Sequence, residues 1–191
     1  MEPKQTFIGE YVNRSPKERL YRLMDLYKDF AAFLDDYKEF VIDLMVMMRE
    51  YQLQPSDADL GVRVQTSGGT SNIPASKAED RMILEECFEK RKIMKSMFPD
   101  PEELTLISTA VYEWDLMESE YKVLKGYINL MKPTDKSIFL PYIKGEKRIA
   151  DIAEELCLEP GSANTRLYRI RKGLVNKVLP WFKEYKVTVP A

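Results

Sequence analysis

An all-α fold is what this sequence of 191 residues predicts, and three observations carry the prediction. Apolar residues recur at alternating three- and four-residue steps from Leu20 to Tyr51. Helix-start signals, Ser15-Pro16 with Glu18 and Ser76-Lys77-Ala78-Glu79, stand ahead of apolar-periodic stretches. Towards the C-terminus, Ile149–Leu174 reads as two short helices joined by a tight turn, the second heavily basic. The expected architecture is an N-terminal helical hairpin or bundle containing a long heptad helix, followed by a C-terminal helix-turn-helix. Four segments result: residues 1–54 with the long helix, a flexible Gly/Ser/Thr loop at 55–75, a helical segment at 76–132 packing on the N-terminal helix, and the helix-turn-helix domain at 133–191.

Residues 1–14 read as an irregular lead-in. Ser15 then serves as N-cap, Pro16 takes the first helical position, where its missing N–H costs nothing, and Glu18 completes a capping box. No Gly or Pro interrupts the chain from Lys17 to Gln54, so one helix is expected to reach about Tyr51. Leu20, Leu23, Tyr27, Phe30, Leu34 and Tyr37 begin a seam that Val41, Leu44, Met48 and Tyr51 continue. It fills every slot for more than about four heptads, enough to expect a coiled-coil type of contact. Met24, Leu26, Phe33, Met45 and Met47 lie off the seam and leave too much apolar surface for a free two-stranded coil. Two outlets remain: packing against helices of its own chain, which is favoured, or a homodimer through Leu20–Tyr51 combined with such packing.

Gln54–Pro74, with Pro55, Gly61, Gly68, Gly69 and Pro74, predicts a mobile loop in which Val62-Arg63-Val64-Gln65 is extended. A phosphate-binding loop is excluded, since the Gly-Lys-Ser/Thr ending and the preceding buried strand are both missing. The capping box at Ser76 starts a helix running to about Met97, with Ile83, Cys87, Met94 and Met97 facing the first helix in an antiparallel hairpin. Pro99-Asp100-Pro101 ends it. Glu102 to about Met131 is helical again, with a break near Ser119 or Gly126. Thr134 is the expected N-cap of a short segment, Lys136–Lys144, closed by Gly145. Its Ile138, Phe139, Tyr142 and Ile143 support the helix-turn-helix, and Pro141 should kink it, because an interior proline costs about 3 kcal/mol.

In the helix-turn-helix itself, Ile149, Ile152, Ala153 and Leu156 form the apolar face of the first helix. Cys157-Leu158 is the turn, Glu159 the cap and Pro160 the first residue of the second helix. Ala163, Leu167, Ile170 and Leu174 line that helix's inner side. It continues through Val175, Val178 and Leu179 and stops before Pro180, after which Trp181 and Phe182 fold back onto the core.

Charge divides the chain unevenly. The formal net charge is −2. From Pro160 onwards seven basic residues face one acid, a balance of +6, which leaves −8 for residues 1–159. A basic patch confined to one end indicates a polyanion contact there. No histidine occurs, which excludes histidine-based triads, histidine-ligated zinc and histidine general bases. Cys87 and Cys157 are too few and too far apart for a metal knuckle, and both read as buried free thiols. No cofactor and no enzymatic activity are expected. The first twenty residues hold no apolar run, and no stretch approaches the roughly 20 apolar residues of a membrane span. A cytoplasmic, reducing location and no membrane contact are the expectation.

On a recognition helix starting at Pro160, groove-facing residues come from the first two turns. Ser162, Asn164, Thr165, Arg166 and Arg169 are the base-reading candidates, with Gly161 beside them. Asn164 suits bidentate pairing with adenine and Arg166 with guanine, each worth about 1–3 kcal/mol of discrimination. Arg171, Lys172 and Lys177 suit phosphates, and Lys147 and Arg148, ahead of the preceding helix, suit the other strand's backbone.

These residues carry a family resemblance. Thr134–Leu174 resembles region four of bacterial sigma factors, with DIAEEL, a two-residue turn, and then SANTRLYRIRKGL in the place of the recognition helix. Cys157 stands where that turn often has Gly. The whole layout is similar to phage late-gene regulators of the ArpU/RinA type, which pair a helical N-terminal part and a Gly/Ser/Thr-rich middle, here VQTSGGTSNIP, with a sigma-like helix-turn-helix. The resemblance implies an activator of late or packaging genes in a prophage of a low-GC Gram-positive bacterium. Its implied partners are double-stranded DNA and host RNA polymerase. The alternative is a small terminase subunit that recognises phage DNA for packaging.

Overall fold

The computed structural model describes the backbone of residues 3–52 and 73–182, and side chains over 7–52 and 77–182. The described residues form eight α-helices and a short 3₁₀ turn, with no strand among them. The helices are α1 (Pro3–Val12), α2 (Pro16–Asp25), α3 (Phe30–Gln52), α4 (Ile73–Glu89), α5 (Pro101–Asn129), α6 (Pro133–Ile143), α7 (Ile149–Glu155) and α8 (Pro160–Val178), the last followed by a 3₁₀ turn, Leu179–Trp181. The all-α expectation therefore holds. The expected Gln54–Pro74 loop, its extended Val62–Gln65 stretch and the Ser76 cap side chain lie outside the described residues.

The chain divides into two compact units, one containing residues up to Tyr37 with those from Glu113 onwards, the other Lys38–Tyr112. The boundaries fall inside α3 and α5, not in the loops that the sequence offers as joints.

Two corrections fall in the N-terminal half. The lead-in contains helix α1, whose Ile8, Tyr11 and Val12 are buried. The single long helix is two helices, broken at residues 26–29 with no Gly or Pro. Leu26 ends α2, and its carbonyl accepts from the N–H groups of both Asp29 and Phe30 at 3.0 Å. Tyr27 in the break and Phe30 just after it each bring their rings to 5.6 Å from Tyr121 of α5. Aromatic packing of this kind outweighs the few tenths of a kcal/mol per residue that helix propensity supplies. The seam from Leu20 to Val41 is buried within the chain, the favoured of its two outlets. Tyr51 at its end is exposed.

In the first unit, α1, α2 and α5 are joined by a buried polar cluster. Arg19 and Glu120 are 0% and 3% exposed, and Arg19 donates Nη2 to Oε1 at 2.7 Å and Nε to the same carboxylate at 3.0 Å. The Tyr11 hydroxyl donates to Oε2 at 2.8 Å, and Arg19 Nη1 donates to the Arg14 carbonyl at 2.9 Å. A buried ion pair survives when hydrogen bonds occupy the remaining lone pairs and protons, and here they do. Burial raises the Glu120 carboxyl above its ordinary range, against the opposing pull of Arg19 and Tyr11. Nearby, Trp114 Nε1 donates to the Leu34 carbonyl at 3.0 Å.

The second unit contains an antiparallel pair formed by α3 and α4. Lys38 meets Glu89 at 2.9 Å, Arg81 meets Glu39 and Asp43 at 2.7 Å each, and Lys77 meets Glu50 at 2.8 Å. Partner numbers fall along α4 as they rise along α3, which defines the direction. Among the described residues of α4, Leu84 and Phe88 are buried, while Ile83 and, beyond the helix, Met94, both expected to face the first helix, are exposed. α4 stops at Glu89, earlier than the expected Met97. Arg91 takes a positive φ of 53°, its N–H donates to Phe88 O, and Lys92 N–H donates to Cys87 O, closing the helix as a Schellman motif. Asp100 Oδ1 then accepts from Glu102 N–H at 2.7 Å, and α5 runs unbroken past Ser119 and Gly126.

Candidate nucleic-acid interface

The α6, α7 and α8 segment has the order read from the sequence, but α6 starts at Pro133, three residues before the expected Lys136, and the caps differ. α6 begins at Pro133 with Lys132 in the cap position, so Thr134 is one residue inside the helix and is not its cap. Pro141 lies near the C-terminal end of α6, where few intrahelical bonds remain to lose. Gly145, at φ 69°, ends that helix in a Schellman arrangement, with Glu146 N–H donating to Pro141 O at 2.9 Å. α7 contributes Ile152 and Ala153 to the core, and both α6 and α7 pack on α8.

The α7–α8 turn resolves the departure at Cys157. Its φ is 52°, the left-handed region for which glycine is suited. Leu158 N–H donates to Ala153 O at 2.8 Å and Cys157 N–H to Glu154 O at 3.1 Å, the Schellman pair again. The thiol is exposed, not buried as expected. Cys87 is half-buried. Glu159 occupies the cap position of α8 with extended backbone, and Pro160 follows at the first position, but the Glu159 side chain makes no capping bond.

At 100° per residue, α8 presents three sides. Ala163, Leu167, Leu174, Val175 and Val178 are buried. Opposite them runs an exposed stripe of Ser162, Thr165, Arg169, Lys172 and Asn176. Three of the five base-reading candidates, Ser162, Thr165 and Arg169, thus share the outermost line. The Thr165 hydroxyl donates back to the Gly161 carbonyl at 2.9 Å, which leaves its lone pairs outward. Asn164 is exposed on one flank beside Tyr168, an aromatic residue 63% exposed. Arg166 lies on the other flank, half-buried and 3.8 Å from Asp135 of α6.

The phosphate candidates divide. Arg148, Lys172 and Lys177 are exposed. Lys147 is half-buried and spans to Glu155 at 2.7 Å. Arg171 is already engaged: its Nη2 meets Asp25 of α2 at 2.7 Å and its guanidinium lies 4.8 Å from the Tyr21 ring centre. It ties α8 to α2, so it is engaged where the sequence reading expects a free phosphate contact. Trp181 is 62% exposed, its indole N–H donating to the Tyr127 hydroxyl at 2.7 Å, while Phe182 alone of the two folds into the core.

Two features escaped the reading of the sequence. Tyr168 lies about 100° off the inner face of α8 by its spacing, and its exposure follows from that position. Lys132 stands beside Arg166 and Arg169 around a groove of about 690 Å³ between α8 and the α5–α6 junction. Its signal in the sequence was a lone lysine before a proline, which indicates a helix start and nothing more.

Among the described residues, no group of three or more Cys, Asp or Glu side chains is placed to hold a metal ion, and no helix is long and apolar enough to cross a membrane. No protein-family model, curated protein or solved structure matches the chain.

Proposed function

We propose that the chain is a sequence-specific double-stranded DNA-binding regulator of transcription, and a phage or prophage late-gene activator by its resemblance to that class. One observation supports the reading above the others: α8 starts at Pro160 after a tight left-handed turn and carries Ser162, Thr165, Arg169 and Lys172 on one exposed line opposite its buried face. An α-helix offered this way fits the width of the DNA major groove, and its first turns supply the base contacts. Exposed Arg148, Lys172 and Lys177 provide phosphate contacts around it.

The test begins with selection of bound fragments from a phage genomic DNA pool by the full-length protein. Replacing Arg166 and Arg169 by Ala should abolish binding to the selected site while the helical circular-dichroism signal stays unchanged. Equal affinity of the double variant would remove α8 from the role. Activation is tested separately, by transcription from the selected site with host RNA polymerase present.

A further inference from the structure

The groove beside α8 has a polarity of its own. Arg166, Arg169, Ile170, Gly173, Leu174 and Lys177 recur at steps of three and four. They form one stripe about 16 Å long at 1.5 Å per residue. Across from it stand Leu130, Met131 and Lys132, with Tyr127 and Asp135 on either side of them in sequence. Two contacts give the direction: Arg166 meets Asp135 at 3.8 Å, and Trp181 meets the Tyr127 hydroxyl at 2.7 Å past the opposite end. Lys132, Arg166 and Arg169 therefore gather towards one end against a single carboxylate, while Lys177 is the lone cation at the other end of the stripe. The middle is apolar, lined by Ile170, Leu130, Met131 and the edge of the largely buried Leu174. Leu130 is 82% exposed, a large apolar side chain left in water. Gly173 deepens the floor, since a Cβ there would meet nothing within 4 Å.

A volume of about 690 Å³ lies within the range of small-ligand sites. Three cations at one end against one at the other, with an apolar length between them, complement a molecule with an anionic head and an apolar tail. We propose that this groove binds a single-chain anionic amphiphile, a medium-chain carboxylate, with its head against Lys132, Arg166 and Arg169 and its tail along Ile170, Gly173 and Leu174. The site does not rest on the DNA reading. It has a consequence for that reading, because Arg166 and Arg169 are base-reading candidates as well. An occupied groove withdraws both from duplex DNA.

The experiment is methyl NMR on the full chain titrated with decanoate below its micelle concentration, with decyltrimethylammonium as the probe of equal tail and opposite head. Saturable shifts are expected at Leu130, Ile170 and Leu174, with the cationic probe weaker by about tenfold or more. Gly173→Phe fills the groove without crowding the backbone and should raise the decanoate Kd by about tenfold or more, with helical content retained. No saturable shift, equal response to both probes, undiminished binding by the Phe variant, or shifts spread equally to the exposed Met47 and Met82 would each overturn the proposal. Duplex binding should weaken with decanoate in the native protein and not in Gly173→Phe. Absence of duplex binding while the groove methyls still respond would count against the DNA reading alone.

Discussion

Arg19 shows what a single side chain commits this molecule to. Its guanidinium has no contact with water, and its carboxylate partner Glu120 also receives the Tyr11 hydroxyl. Breaking a buried pair by removing one member leaves the other charge uncompensated, at a cost of about 3–5 kcal/mol. Arg19→Met should therefore lower the urea-measured stability by that amount at neutral pH. The loss has a predictable pH dependence. Burial already raises the Glu120 carboxyl, and without Arg19 nothing cationic opposes it. A carboxyl raised in the folded state binds its proton there before the unfolded chain does, so the variant is relatively most stable in acid and loses stability as pH rises through the raised pKa. The gap between Arg19→Met and the native protein should narrow as pH falls through the variant's raised Glu120 value, above the ordinary carboxyl range, and stay constant in stronger acid. A gap independent of pH would show that the cost is packing. A second buried group follows the same physics: burial, then the neighbouring carboxylate, holds the Tyr11 hydroxyl well above its ordinary range, so it stays a donor.

At the scale of elements, helix endings distinguish this chain from an idealised one. α4, α6 and α7 all close with Schellman hydrogen bonds, at Arg91, Gly145 and Cys157. Only Gly145 is the residue that conformation favours. The left-handed region costs other L-residues about 1 kcal/mol. Cys157→Gly should accordingly raise stability by about 1 kcal/mol, seen as a higher thermal midpoint, and Arg91→Gly should do the same. No gain at Cys157 would mean that the exposed thiol contributes something that offsets the backbone strain. The break between α2 and α3 follows a different logic. Leu26-Tyr27-Lys28-Asp29 contains no helix breaker, and the gain there comes from placing Tyr27 and Phe30 on Tyr121, a residue almost a hundred positions away. A seam read along one segment cannot report that gain, which is why Leu20–Tyr51 reads as one uninterrupted helix.

For the whole molecule, the decisive question is which cations of the basic end remain free. Arg171 is held between α2 and α8 through Asp25 and Tyr21. An exposed ion pair and a cation–π contact are each worth about 0.5–1 kcal/mol, so Arg171→Ala should lower stability by about 1 kcal/mol. It should leave the salt dependence of duplex binding unaltered. Lys172 and Lys177 are exposed, and replacing both by Ala should reduce the log–log salt slope by about 2, at roughly 0.9 per phosphate. The reverse pattern, with Arg171 changing the slope and the two lysines not, would place DNA on the α2 side of α8.

Local chemistry by itself determined the all-helical class, the capping box at Ser15, the α7–turn–α8 order and the concentration of positive charge after Pro160. Each depends on residues within a few positions of one another, where spacing, caps and charge act directly. Only the tertiary structure decided the break at Leu26, the burial of the Leu20–Val41 seam, the helix α1, the Arg19–Glu120–Tyr11 cluster, and which arginines of α8 point outward. Those outcomes depend on partners far along the chain, such as Glu120 for Arg19 and Asp25 for Arg171. The free energy of burial and pairing is set by what a side chain meets in space, and no spacing within a segment records it.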